Sequence, residues 1–153
     1  MSGFTVRRLG PTDVAAARGI NALFADAFEE PERYAGALPA DAWIAGLLAR
    51  PDYIALVAEA DGAVVGGLTA YTLPNLERAT SELYIYDIAV AETHRRRGIA
   101  TALIRDLQAL ARKIGASTVY VQADPEDAPA VALYERLGSR AEVLHFDLPP
   151  GTD

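Results

Sequence analysis

None of the 153 residues is cysteine, which removes disulfides, thiolate metal ligands and a cysteine nucleophile from consideration. Histidine is nearly as scarce. His94 and His145 are the only two, and they lack the close helical spacing of a zinc pair, so no metal is expected. No apolar run approaches the roughly 18 residues of a membrane span, and the opening MSGFTVRRLGP does not have the architecture of a signal peptide. A cytoplasmic protein with no membrane partner is the expectation. Basic residues are outnumbered, 14 Lys and Arg against 21 Asp and Glu, for a formal charge of −7. That balance argues against nucleic acid, whose phosphates must be neutralised by Lys and Arg. Walker, G-x-G-x-x-G and G-x-S-x-G patterns are all missing, which leaves ATP, NAD and acyl-serine readings without their usual support.

What is present is an ordinary globular composition, 51% hydrophobic and 23% charged, of a length that suits one domain over residues 1–153. FTVRRL (4 to 9) reads as a strand. A helix follows through DVAAARGINALFADAF with Thr12 as its N-cap. EEPERYAGALP reads as a loop, and ADAWIAGLLAR as a short helix ended by Pro51. YIALVAEA and AVVGGLTAYTL are strand-like runs joined by Asp61-Gly62, the pair favoured by type I′ hairpins. SELYIYDIAV (81 to 90) is a further strand, followed by a helix to about Ile114 with Gly115 beyond it. TVYVQA (118 to 123), DAPAVALYERL (127 to 137, closed by Gly138) and AEVLHFDL (141 to 148) read as strand, helix and strand. Strand 81–90, its helix and strand 118–123 make a parallel crossover unit beside an antiparallel hairpin, so a mixed α/β sheet is predicted. Trp43 and His145 read as packing residues.

The most basic stretch of the chain is HRRRGIATALIRDL (94 to 107). It stands where a strand gives way to a helix with an apolar stripe of Ile99, Leu103, Leu107, Leu110 and Ile114. Backbone N–H groups of the first turn, from Gly98 through Ile99 and Ala100 to Thr101, have no partner inside a helix, and the macrodipole favours an anion there. Small Gly98 and Ala100 let a phosphate approach, while Arg95, Arg96 and Arg97 can add charge-assisted bonds to it. A solvated basic corner is the alternative reading.

Arg95-x-x-Gly98-x-Ala100 directly after YIYDIAV resembles the acetyl-CoA pyrophosphate loop of the GCN5-related N-acetyltransferases. Asp127, Ala130 and Tyr134 in DAPAVALYERLG resemble the later motif of the same superfamily. RLGP, YIALVA, VVGGLTAYTLP, HRRRGIATALI, YVQAD, DPEDAPAVALYERLG and HFD narrow the likeness to the aminoglycoside 3-N-acetyltransferases of the first type, over nearly the full chain. Ala100 replaces a common Gly and Asp127 a common Asn. The second departure leaves open whether Asp127 serves the cofactor, the helix cap or a cationic substrate.

This resemblance implies a mostly antiparallel mixed sheet with a splayed parallel strand pair and about four flanking helices. It implies acetyl-CoA as co-substrate and transfer to the 3-amino group of a 2-deoxystreptamine aminoglycoside of the gentamicin type, conferring resistance, by a homodimer. A polyamine acetyltransferase and a non-catalytic CoA-binding module are the alternatives. Amine acetylation by a thioester needs a deprotonated amine, a stabilised oxyanion and a proton for the thiolate. The resemblance gives the backbone of Ile88, Ala89 and Val90 the pantetheine arm and the carbonyl, and gives Tyr134 the thiolate proton, although Ala130, Tyr134 and Leu137 also form a packing stripe. Asp87 and Glu82 are candidate bases. Their odd separation puts them on opposite faces of a strand unless a bulge intervenes. Asp26, Glu29, Glu30 and Glu32 in the helix-helix region, with Asp124, Glu126 and Asp127 after a central strand, are candidates to receive a polycation, against the alternative of solvated faces and caps.

Overall fold

The computed structural model describes residues 3–151, which fall into two compact units divided between Gln122 and Ala123. The first holds β1 (Thr5–Arg8), α1 (Val14–Ala27), α2 (Asp41–Leu48), β2 (Tyr53–Ala60), β3 (Ala63–Pro74), β4 (Ser81–Val90), α3 (Ile99–Ile114) and β5 (Thr118–Val121). These strands make one sheet in the order β1-β2-β3-β4-β5. Every pairing is antiparallel except β4 with β5, as the crossover through α3 requires. The hairpin between β2 and β3 turns at Asp61 and Gly62, with φ of 52° and 77°, both positive as a type I′ turn demands.

Both faces of the sheet are covered at β2, which is why that strand is buried along most of its length instead of alternating. On one face Ala55 and Val57 pack with Ile20, Phe24, Ile44 and Leu48 of α1 and α2. α3 lies on the other, burying Ile99, Leu103, Ile104, Leu107 and Ala111. The predicted stripe is right for its first two turns and then drifts. Leu110 is half-buried and Ile114 exposed, because Ala111 takes the inward position as the helix rotates past the sheet edge. Gly66 and Gly67 thin β3 between the two helical layers. A Cβ on Gly66 would stand 2.7 Å from Ile99 Cγ2, and one on Gly67 3.0 Å from Ile20 Cγ2.

Several expectations need correction. α1 starts one residue later than predicted. Asp13 is its N-cap, and the Asp13 carboxylate accepts from Gly10 N–H at 2.7 Å and from Arg7 at 2.9 Å, so the capping role passes over Thr12. The predicted loop contains a π-helical turn at Glu32–Gly36. Trp43 is 69% exposed on α2 and is not a packing residue, since Ile44 and Leu48 supply the buried face of that short helix.

In the second unit α4 (Ala128–Leu137) is capped by Asp127, whose side chain accepts from Ala130 N–H at 3.2 Å, with Pro129 in its first turn. Gly138 ends it in extended backbone, φ −162°. The strand expected over 141–148 is not formed, and Val143, Leu144, Phe146 and Leu148 are exposed there. An apolar run records a side-chain preference, whereas a strand also needs a neighbour to satisfy its N–H and C=O groups. His145 is likewise exposed, with Nε2 2.8 Å from Asp147. No helix among the described residues is long and apolar enough to cross a membrane.

Gly66→Ala is expected to destabilise the fold by about 1–3 kcal/mol, the usual cost of overpacking a filled core. Urea denaturation followed by circular dichroism checks this, and an unchanged midpoint would mean that α3 does not press on β3.

Candidate active site

The site begins with an irregularity in β4. Thr69 pairs with Asp87 and Ala70 with Ile85, leaving Tyr86 as the extra residue of a β-bulge. Before the bulge, Leu83 and Ile85 are buried and Tyr84 points to the opposite face. After it, Asp87 has been shifted onto the Tyr84 face, which is the α1 side. The π-helical turn shows the consequence, because its adjacent residues reach adjacent residues of β4. Tyr34 donates its hydroxyl to Asp87 Oδ2 at 3.0 Å, and Arg33 donates to the Tyr86 hydroxyl at 3.1 Å.

Asp87 is half-buried, and burial pushes its pKa above the ordinary carboxylate value. The hydrogen bond from Tyr34 and the charge of Arg33 pull it back down, while Glu30 pushes it up. Tyr34 is itself driven well above the usual tyrosine range, first by burial and then by the Asp87 charge. A hydroxyl so raised stays protonated at neutral pH and keeps donating to the carboxylate. Of the predicted acids, then, Asp87 and Glu30 are brought together. Glu82 shares the Asp87 face yet lies five residues away, roughly 13 Å or more along the strand, where it accepts from Asn75 at 3.1 Å. Asp26, Glu29 and Glu32 are exposed, and Glu29 adopts a left-handed φ of 55° just beyond α1.

β4 is paired with β5 only from Glu82 to Ile85. Beyond that point Ile88, Ala89 and Val90 remain paired with Leu68, Gly67 and Gly66 of β3, but no β5 residue faces them. The parallel pair is splayed, and one backbone edge of β4 is left open among the described residues. The chain then passes through a 3₁₀ turn at Glu92–His94 into Arg95, Arg96 and Arg97, all exposed. Arg95 Nε donates to Val90 O at 3.3 Å, tying the loop to the end of the strand. Arg96 and Gly98 have φ of 64° and 79°, and left-handed residues set among ordinary ones form backbone nests for anions. Ala102 N–H is the first to bond back to Gly98 O, so the N–H groups of Ile99, Ala100 and Thr101 have no partner within the helix. Nothing lies within 4 Å of a Cβ placed on Gly98. Three guanidinium groups, an open helix N-terminus and this clear approach fit the pyrophosphate of a coenzyme A.

In the second unit Asp124 and Glu126 are exposed in the turn before α4. Asp127, whose role the sequence leaves open, caps the helix through Ala130. Tyr134 is half-buried, and its pKa is pushed up to about 12 by burial and then by the charge of Asp127.

Sequence reasoning missed Arg33, Tyr34 and Tyr86. The first two stood in a stretch read as loop, and the third matters because of the bulge. A usable signal was present in seven tyrosines with only four phenylalanines, an excess of aromatic rings with polar tips.

Residues 17–139 match the acetyltransferase (GNAT) family. Among solved structures, an aminoglycoside acetyltransferase from an uncultured soil metagenomic sample is 49% identical with a TM-score of 0.94, covering 97% of this chain and 99% of that one. Another from such a sample, in complex with sisomicin, is 27% identical with a TM-score of 0.90, covering 97% of each chain. Among curated proteins, the N-alpha-acetyltransferase of Sulfurisphaera tokodaii is 35% identical over 109 residues, 63% of each chain. The match thus spans less than two thirds of that relative's length.

The raised pKa of Asp87 has a defined sign for stability. A carboxyl whose folded pKa exceeds its unfolded value of 3.8 contributes most below that value and loses the contribution as pH rises through the folded pKa. Asp87→Asn is therefore expected to gain stability relative to the wild type between those two pKa values, with a constant gap above them. Denaturation midpoints from pH 3 to 8 measure it, and a gap that shrinks with rising pH would contradict the burial argument.

Proposed function

The chain belongs to the acetyltransferase (GNAT) family, and on that premise we propose that it transfers the acetyl group of acetyl-CoA to the 3-amino group of a 2-deoxystreptamine aminoglycoside of the gentamicin type. One observation carries the reading. β4 presents a half-buried carboxylate, then an open backbone edge, and then runs into the arginine loop and the N-terminus of α3. A proton acceptor, a groove for an extended arm and a phosphate cradle thus follow one another along a single strand and its exit. The 49% identical neighbour, an aminoglycoside acetyltransferase covered over 99% of its length, supports the acceptor class. The whole chain, residues 1–153, is proposed to act as one acetyltransferase domain, as a cytoplasmic homodimer whose activity gives antibiotic resistance.

Bound acetyl-CoA would supply an activated acetyl thioester. Arg95, Arg96 and Arg97, with the N–H groups from Gly98 to Thr101, would hold its phosphates, and the backbone of Ile88, Ala89 and Val90 would align its arm and polarise the carbonyl. Asp87 takes the proton of the acceptor ammonium on a carboxylate oxygen, directly or through water. Its raised pKa brings it nearer to a working base at neutral pH. Tyr34 fixes that carboxylate by donating to Oδ2, leaving Oδ1 for the amine. Tyr134 keeps its proton throughout the neutral range and is the proposed donor to the leaving sulfur. Glu30, Asp124 and Glu126 add negative charge for a polycation, whereas Asp127 is committed to its cap.

A second reading has a specific observation behind it, the likeness to an N-alpha-acetyltransferase: the acceptor would then be the α-amine of a polypeptide. Incubation with acetyl-CoA and a panel of gentamicin, sisomicin, spermidine and an unblocked peptide, analysed by mass spectrometry, separates the cases. Acetylation of the aminoglycosides at N3 is expected, and modification of the peptide alone would overturn the proposal. Tyr134→Phe is expected to lower kcat about a hundredfold or more while leaving the acceptor KM within a few-fold, since the lost proton donor acts in the transition state. Unchanged turnover would remove Tyr134 from the mechanism.

A further inference from the structure

Six of the seven tyrosines lie in the first unit, and five of them make a continuous row across the sheet. Tyr53 pairs with Tyr71, Tyr71 with Tyr84, and Tyr84 with Tyr120, on four successive strands in register. The bulge adds Tyr86 to the same face. Ring centroids follow one another at 5.2 Å from Tyr53 to Tyr71, 5.7 Å to Tyr86, 6.0 Å to Tyr84 and 4.8 Å to Tyr120. The row crosses three strand spacings, about 14 Å. Three of its rings are accessible, Tyr71 and Tyr120 at 37% and Tyr86 at 48%.

Cross-strand aromatic pairs stabilise a sheet, but that gain does not call for a phenolic hydroxyl on every ring. Core contacts of equal area come from Leu, Ile or Phe without a hydroxyl to satisfy, and the opposite face of the same strands uses Ile54, Leu68, Leu83 and Ile85. Three of the five share the influence of Asp87. Its charge reaches Tyr53, Tyr71 and Tyr84, and with burial as the main cause all three are raised above the ordinary tyrosine value, Tyr53 to about 12. These three hydroxyls therefore stay neutral; Tyr84 donates its own to Gln122 Oε1 at 3.1 Å, while the Tyr86 hydroxyl accepts from Arg33. Aromatic faces attract cations through their quadrupoles, and a carboxylate set among them adds full negative charge.

We propose that this tyrosine row is a stacking platform for the sugar and aminocyclitol rings of a polycationic acceptor, holding them against Asp87. The proposal rests on the acetyltransferase reading above and deepens it. The apolar faces of the rings lie on the tyrosines, their hydroxyls meet the phenolic groups, and their ammonium groups lie over ring faces or beside the carboxylate. A linear polyamine offers the same charge without ring faces, so it gains far less from the platform.

The test uses sisomicin and spermidine with wild type, Tyr71→Leu, Tyr120→Leu and Tyr71→Phe, after circular dichroism and thermal melts identify the folded variants. Both Leu variants are expected to raise the sisomicin KM about three- to thirtyfold, the range for removing one ring contact with a cation. kcat should stay within about twofold, the spermidine Kd from calorimetric titration should scarcely move, and Tyr71→Phe should keep the sisomicin KM within a few-fold of wild type. An unchanged sisomicin KM in the folded Leu variants would overturn the platform, as would an equal weakening of spermidine binding. If one Leu variant does not fold, the other decides. Calorimetric titration with sisomicin separates the two levels of the argument. Tyrosine-dependent binding without acetylation would sink the proposed activity and keep the platform, whereas acetylation independent of the tyrosines would do the reverse.

Discussion

The extra residue at Tyr86 is the constraint on which the site depends. Without it, strand alternation would carry Asp87 to the face occupied by Leu83 and Ile85, beneath α3, where an unpartnered carboxylate would meet only apolar side chains. That placement would cost several kcal/mol or force the carboxyl to remain neutral. One inserted residue turns the strand over, so Asp87 meets the Tyr34 hydroxyl and its neighbour meets Arg33. The twist that accompanies a bulge also suits the parting of β4 from β5 after Ile85. A single local defect thus positions the carboxylate just before the open backbone edge.

The fold was legible where the code is local. Asp61-Gly62 has few conformations available and takes the expected one, β2 follows YIALVAEA from end to end, and α3 starts after a glycine that must be left-handed. The geometry of the arginine loop was legible for the same reason, since the passage from strand to helix at Gly98 is written in consecutive residues. What could not be read was set by distance in sequence. The bulge depends on the register of β4 against β3, and nothing in SELYIYDIAV marks Tyr86 as extra. Parity nonetheless stated the condition correctly: Glu82 and Asp87 share a face only if a bulge intervenes, and one does. Even so, the two carboxylates remain at different ends of the strand, with Glu82 held by Asn75.

The segment ERYAG failed for a different reason. A π-helical turn has no compositional signature, and the acidic, proline-preceded stretch resembles any surface loop. Its geometry becomes intelligible only from the partner side, because two neighbouring side chains must reach two neighbouring residues of β4. The 141–148 stretch erred in the opposite direction. Its apolar residues suit a strand, but the partner that would satisfy its backbone is not something a sequence pattern contains.

Charge is divided by type as well as by sign. The guanidinium groups of Arg95, Arg96 and Arg97 stand in solvent at the start of α3, as long-range attraction for an anion requires. Arg33, by contrast, sits close to Asp87, where its charge opposes the raised pKa of that carboxyl and would oppose the arrival of the proposed cationic acceptor. The surroundings limit that opposition. Arg33 lies over the ring of Tyr34 at 5.6 Å and donates to the Tyr86 hydroxyl, so part of its charge is absorbed by aromatic faces and not by the carboxylate. Had a lysine or arginine paired directly with Asp87, the acid would have been held ionised and strongly occupied, a poor proton acceptor and a poor anchor for an incoming amine. Tyrosine resolves the conflict. It fixes the carboxylate through a neutral hydrogen bond, shields the neighbouring cation, and leaves the negative charge available to the proposed amine acceptor.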